Sequence, residues 1–465
     1  MFQTLINVFR VPELRNKILF TLAMLIVFRI GHWIPLPGVD HEQLAKTAEL
    51  AKEQGGAFAT LASAVAMFSG GALSHSTIFG LGIMPYITAG IIIQLLTTVY
   101  PPLKKLQEEG GSGRQKIMEY TRYITLALCV VQGIGWLSYL NAQRLLVEGN
   151  TANPVWWIMA LACLTAGCMF LMWIGEQIDK HGIGNGASMI IMAGILSSMP
   201  QAINWVINNF NPGAPDKMGY MGIIALLAGF VFVIAGSVLM TVAQRRITVQ
   251  QAKHTRGRKV FGGQRSYLPL RLNHGGVMPI IFASSLMVFP GVIFSQLRET
   301  TRTAGTADTW YGGAFRFLAD NFNQGAYLYV IVTIILVYFF AYFWITVQFN
   351  PEEMSKQMKE SGSFIPGLRP GPRTAEYLET VMNRVTYVGA GFLALVAVLP
   401  PVINSALNID FTVTQFLGGT GLLIVVSVTM DFLQRVEANL LMRNYAGFLG
   451  GEDGNAGPRL GGVQN

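Results

Sequence analysis

The 465 residues are 52% hydrophobic and 12% charged, with a formal net charge of +8. A soluble domain carries about 25% charged residues, so this composition excludes an ordinary water-soluble globule and indicates a membrane protein. Cys129, Cys163 and Cys168 all fall in apolar runs, without metal-ligand spacing or an even-numbered disulfide framework, and read as core packing.

Ten mainly apolar runs are centred near 17–36, 77–99, 120–140, 154–175, 187–208, 219–243, 275–296, 326–349, 385–407 and 417–434. A helix needs about 20 such residues to cross a bilayer core. Lipid-facing backbone must be bonded within its own segment, which favours helices, and the short alternating strands of a membrane barrel are missing. The expected fold is an all-α polytopic membrane protein. The first run follows Arg10, Arg15 and Lys17, but it has full span length and no small-residue cleavage site, so it reads as a retained helix. Arg29, near its far end, is placed to snorkel to the interface.

Next comes "GAFATLASAVAMFSGGALSHS" (56–76), whose apolar part is too short to span and is broken by Gly70 and Gly71. It reads either as a half-inserted helix over 58–67 or as an outer surface loop. In "GLGIMPYITAGIIIQLL" (80–96), Pro85 lacks an N–H, so the helix is kinked there or begins nearby. Ile83 and Ile87 lie one turn apart on one face, which by periodicity alone is ordinary packing or lipid contact. Gln94 is able to bond a neighbouring helix. "GIGNGAS" (182–188) has glycines spaced as in a dinucleotide fingerprint, but it follows a membrane helix where the fingerprint needs a strand. A tight turn through Gly184 and Gly186, with Asn185 or Ser188 capping the next helix, is the better reading.

The polar connection "NNFNPGAPDKMG" (208–219) leaves five runs on each side, the topology of an inverted repeat. Residues 244–273 carry eight Lys or Arg and no Asp or Glu. This loop reads as an anionic-lipid tether or as an ordered hairpin over 259–273 that meets phosphates. A second loop, 350–384, presents Arg369 and Arg373 on a Pro/Gly turn. Alternate connections and both tails hold 25 Lys and Arg against seven in the remaining loops, which places both termini in the cytoplasm. The Gly-rich end (450–465) is polar and reads as disordered.

Motifs for catalysis are missing: no G-x-S-x-G, no H-E-x-x-H, no Gly-Lys dipeptide for a phosphate loop, and six scattered histidines. The runs also lack ionisable groups near their centres, which a coupled transporter needs. An intramembrane protease would need a Ser/His or two-Asp site within the spans, and none is visible.

The stretches "FRIGHWIPLPGVD" (28–40), "MFSGGALSHSTIFGLGIMPYITAGIIIQLLT" (67–97), "FLMWIGEQIDKHGIGNGASMIIMAGI" (170–195), "GVMPIIFASSLMVFP" (276–290) and "FIPGLRPGPRTAEYL" (364–378) closely resemble the bacterial SecY family, the channel subunits of the Sec translocon. The resemblance covers nearly the whole chain, in order; only the outer loops 141–153, 208–218 and 297–325 and the tail look unfamiliar. It implies ten transmembrane helices in two pseudo-symmetric inverted halves, 1–212 and 213–440, followed by a flexible cytoplasmic tail, 441–465. It implies a pore ring of Ile83, Ile87, Ile191, Ile281 and Ile424. Segment 57–75 would be a plug, with Phe58, Leu61, Met67, Phe68, Gly70 and Gly71. A lateral gate would involve Pro85, Gln94, Pro279 and Ser284.

Arg256, Arg258, Lys259, Arg369 and Arg373 match basic positions that meet the ribosome, including its RNA, or the SecA motor. Further partners implied are the small membrane subunits SecE and SecG, signal peptides and nascent chains, and membrane lipid. The implied function is a protein-conducting channel of the bacterial inner membrane, with no cofactor, no metal and no enzymatic activity of its own. The alternative is a secondary transporter on the same inverted-repeat plan.

Overall fold

The computed structural model describes residues 11–40, 42–44, 76–142, 145–147, 153–210, 219–251, 254–256, 259–261, 265–303, 310–322, 326–407, 413–414 and 419–449. In chain order the helices before the hairpin are α1 (Pro12–Gly31), α2 (Met84–Val99), α3 (Pro101–Glu108), α4 (Gly111–Ala142), α5 (Pro154–His181), α6 (Gly186–Asn209) and α7 (Tyr220–Val242). Strands β1 (Gln244–Gln251), β2 (His254–Arg256), β3 (Lys259–Phe261) and β4 (Arg265–Arg271) follow. Then come α8 (Met278–Thr303), α9 (Trp310–Asn321), α10 (Tyr327–Gln348), α11 (Pro351–Glu360), β5 (Ser363–Phe364), α12 (Pro372–Leu407) and α13 (Thr420–Leu449).

Helix starts follow local chemistry. Proline occupies one or both of the first two positions of α1, α2, α3, α5 and α11, where its missing N–H costs nothing. Asn153, Asn185 and Asn350 cap α5, α6 and α11 with their side-chain oxygens. By length and composition, α5, α6, α7, α10 and α12 are able to cross a membrane, and α2 and α3 together make a sixth candidate, bent by 105°. The remaining apolar runs fall on α1, α4, α8 and α13, which carry charged residues in the same helices. The chain is a multi-pass membrane protein.

Two sequence-based expectations need correction. The fold is not all-α: β4, β1 and β5 form an antiparallel sheet in that order, and β2 pairs with β3. The hairpin starts fifteen residues before 259, with Gln244 opposite Arg271 and Gln250 opposite Arg265. Strands form here because this stretch lies among the polar, basic loops, where water and loop partners satisfy exposed edges. Ile247 and Leu270 are buried against Ile345 and Phe349 at the end of α10 and Leu378, Val381 and Met382 of α12. The hairpin is thus seated on the helices by its apolar side while its basic residues stay out.

The largest core joins α1, α2, α5, α6, α7, α8, α10, α12 and α13. A second apolar cluster gathers α4 and α5 around Leu36, Leu81 and Trp156, whose indole N–H donates to the Pro37 carbonyl at 3.0 Å. Cys129 and Cys168 are buried free thiols in that cluster and Cys163 is half-buried, as core packing requires.

Candidate functional site

The five isoleucines singled out in the sequence come from four helices and meet in one cluster. Ile83 caps α2, Ile87 lies on its first turn, Ile191 lies early in α6, and Ile281 and Ile424 lie on the first turns of α8 and α13. All five are between 0% and 8% exposed and belong to the largest core. Of the two readings of Pro85, the structure takes the second: the helix begins at Met84. Turns occupy residues 76–83, and Gly82 has φ +58°, a left-handed conformation that glycine adopts without strain. The Ile87 N–H then bonds the Ile83 carbonyl at 3.1 Å, which stacks the two side chains one turn apart.

Isoleucine makes this cluster stiff and dry, because its β-branch restricts the side chain and it bonds no water. Among the described residues no Asp, Glu, Lys or Arg is buried. Two hydroxyls of these helices cross to thioether sulfurs of neighbouring ones. Ser285 of α8 donates to the Met84 sulfur of α2 at 4.0 Å, and Thr429 of α13 to the Met192 sulfur of α6 at 3.7 Å. Such bonds are weak because a thioether is a poor acceptor. Helix α2 packs on α8 and α6 on α13 through these soft contacts.

Pro85 and Pro279 are buried at the starts of α2 and α8, and Gln94 is half-buried further along α2. The Ser284 hydroxyl bonds the Ile280 carbonyl of its own helix at 2.8 Å. The residue that reaches across is Ser285, which sequence reasoning missed. One position along a helix rotates a side chain by about 100°, so a motif match alone does not choose between neighbours.

Arg122 of α4 holds Glu176 of α5 in a bidentate pair, with Nε–Oε1 at 2.8 Å and Nη2–Oε2 at 2.6 Å. Three residues further on, Asp179 accepts from the Gly186 N–H at 2.7 Å, and Asn185 accepts from the Ser188 N–H at 3.0 Å. Asn185 is therefore the cap, and Ser188 supplies only its backbone. Gly186 is obligatory for a packing reason: a Cβ there would lie 2.0 Å from the Gly175 carbonyl oxygen. The sequence displayed Glu176 and Asp179 but gave no signal of Arg122, 54 positions away.

Of the basic candidates, Arg256 and Lys259 stand opposite each other across β2 and β3. Arg369 is exposed on a turn and Arg373 on the first turn of α12, and the turn is pinned from two sides: Ser355 donates to the Gly371 carbonyl at 2.7 Å and Thr374 to the Arg369 carbonyl at 2.9 Å. Strand β5 pairs with β1, Gln251 opposite Ser363, so the two basic loops are joined into one platform. Arg258, the proposed plug residues Phe58, Leu61, Met67, Phe68, Gly70 and Gly71, and segment 211–218 lie outside the described residues.

Comparison with known proteins agrees with this geometry. The SecY family model matches residues 77–433. The protein translocase subunit SecY of Escherichia coli K12 is 42% identical over 436 residues, 93% of each chain. Among solved structures, one described as a protein conducting channel matches with a TM-score of 0.60 at 17% identity, covering 93% of this chain and 94% of the other. Sec61 from a canine ribosome-channel complex of the endoplasmic reticulum matches with a TM-score of 0.55 at 16% identity, with the same coverage.

Proposed function

The chain belongs to the SecY family, and on that premise we propose how its collar, seam and basic platform conduct protein. It is a protein translocase subunit, the channel through which polypeptide chains pass. The collar of Ile83, Ile87, Ile191, Ile281 and Ile424, fully apolar and far from any buried charge, carries the mechanism. A narrow aliphatic constriction dewets and blocks ions without a moving part. It imposes no hydrogen-bond geometry, so it tolerates any side chain that passes.

Ten helices, α1, α2, α4 to α8, α10, α12 and α13, cross the membrane in two inverted halves, 1–212 and 213–440. Both termini face the cytoplasm, and the membrane is the bacterial inner membrane. The halves part sideways where α2 meets α8, near Pro85, Gln94, Pro279 and Ser284. A segment in the pore then partitions by its own chemistry: Leu or Ile gains about 0.3–0.6 kcal/mol in lipid, whereas Arg or Asp at the centre loses about 2.5–3.5. Residues 57–75 form a plug over the collar. The basic platform, with Arg256, Arg258, Lys259, Arg369 and Arg373, receives the ribosome through RNA phosphates, or the SecA motor, which supplies the energy from ATP. SecE and SecG are its small membrane partners.

The transporter alternative finds no support, since a coupled transporter needs ionisable groups within its spans, and no Asp, Glu, Lys or Arg is buried among the described residues. Crosslinking a stalled secretory chain to cysteines placed at Ile83, Ile191 and Ile424 tests the reading. Adducts at all three are expected; adducts only at lipid-facing control positions such as Ile335 would overturn it.

A further inference from the structure

Helix α9 has two apolar faces, one packed against the chain and one exposed. Gly312 and Ala319 are buried and Phe315 and Leu318 half-buried against the rest of the chain, where α9 packs on α8 and the ring of Phe322, just past its end, sits 5.0 Å from that of Phe294. On the opposite side, at every third or fourth position, Trp310, Ala314 and Phe317 point outward, with Trp310 86% and Phe317 63% exposed. Between the faces runs a charged edge. Asp320 is held by Arg298 of α8 at 2.7 Å, leaving Arg316 only a loose 4.0 Å approach to the same carboxylate.

A helix facing water does not display Trp and Phe together, because each would cost on the order of 1.5–3 kcal/mol relative to burial. The chain supplies the occupant of that face. Helix α9 is tied at both ends to helices whose free sides are apolar: Ile293 of α8, and Tyr327, Ile335 and Phe339 of α10, are all exposed. Tyr327 begins α10 six residues after α9 ends. Aromatic residues gather where acyl chains meet headgroups.

We propose that α9 lies in the outer membrane–water interface, with Trp310 and Phe317 immersed at the acyl boundary and Arg316 paired with lipid phosphate. It thereby anchors the α8–α10 connection to the bilayer rather than to a protein partner. The partner is a phospholipid surface, recognised as an amphipathic in-plane helix recognises it. The inference rests on the reading that α8 and α10 cross the membrane.

The test places single nitroxide labels on the full chain with its partner subunits, in nanodiscs of phosphatidylethanolamine and phosphatidylglycerol. The variants are Phe317→Cys, Ile335→Cys as a lipid-facing standard and Tyr267→Cys as a water-facing one. Phe317→Cys is expected to favour oxygen over a water-soluble nickel relaxant severalfold more than Tyr267→Cys, at a shallower depth than Ile335→Cys. Nickel access equal to that of Tyr267→Cys would overturn the anchor. Low access to both relaxants would also overturn it, by showing that protein covers the face. If Ile335→Cys itself behaves as water-exposed, the spanning reading fails instead, which separates the two outcomes.

Discussion

At Ile83 and Ile191 two physical roles compete, and they separate on substitution. In a merely packed core, Ile→Ser removes methylenes and buries a hydroxyl, at a cost of about 2–5 kcal/mol and no change in permeability. In a collar, the hydroxyl wets the constriction. Ile83→Ser and Ile191→Ser are expected to raise ion flux through proteoliposomes containing the resting channel, and unchanged flux alongside lowered stability would assign both residues to packing. Arg122 and Glu176 make a second residue-scale case. Glu176 is 12% exposed at its side chain, so Arg122→Gln leaves a mostly enclosed carboxylate without its fork and should cost about 1–3 kcal/mol. Adding Glu176→Gln should recover part of that loss, and thermal unfolding of the single and double variants in detergent reads both. Pattern matching picked out the isoleucines from their motifs, but it had no access to the Arg122 pairing, because ion pairs across 54 positions depend on how α4 and α5 are set side by side.

The hairpin is the element whose parts divide most cleanly into support and recognition. Its inner side, Ile247 and Leu270, is seated on α10 and α12, and its outer side carries Arg246, Arg265 and Arg271. Charge reversal at Arg258 and Lys259 should weaken ribosome binding without unfolding the platform. Each basic side chain withdrawn from a phosphate should reduce the slope of log affinity against log salt by about 1. Ribosome co-sedimentation across a salt series measures both, and an unchanged slope would remove these two residues from the interface. Ile247→Asp works in the other direction: it should unseat the strand and weaken binding while leaving the basic residues intact. The sequence marked the run as basic and hairpin-prone, yet placed the hairpin too late. The ladder is decided by β1, which in isolation reads as a polar tail of α7, and its strand character comes from β4 and β5 closing on either side.

For the molecule as a whole, the seam matters most. Helices α2 and α8 meet across Met84 and Ser285, and a hydroxyl–thioether bond at 4.0 Å resists separation feebly. A Met84→Cys, Ser285→Cys variant bridged by a short bifunctional thiol reagent is expected to lose insertion of transmembrane segments. The same variant left unbridged should retain it. Full insertion by the bridged form would show that segments leave elsewhere. On the proposed reading the soft seam and the collar serve one end: a channel for chains of every composition gains nothing from strong, specific bonds along its path.

Composition, hydropathy and the distribution of Lys and Arg by themselves determined the membrane class, the number of apolar runs and the sites of most helix starts, because these follow from local solvation and backbone chemistry that each segment carries alone. The tertiary structure decided that isoleucines separated by as many as 341 positions in sequence share one buried core, that Ser285 reaches the Met84 sulfur of α2, and that two basic loops share a sheet. Those outcomes depend on the azimuth and register at which helices and strands meet. Such quantities are fixed by packing among distant segments, and no single stretch of the chain encodes them.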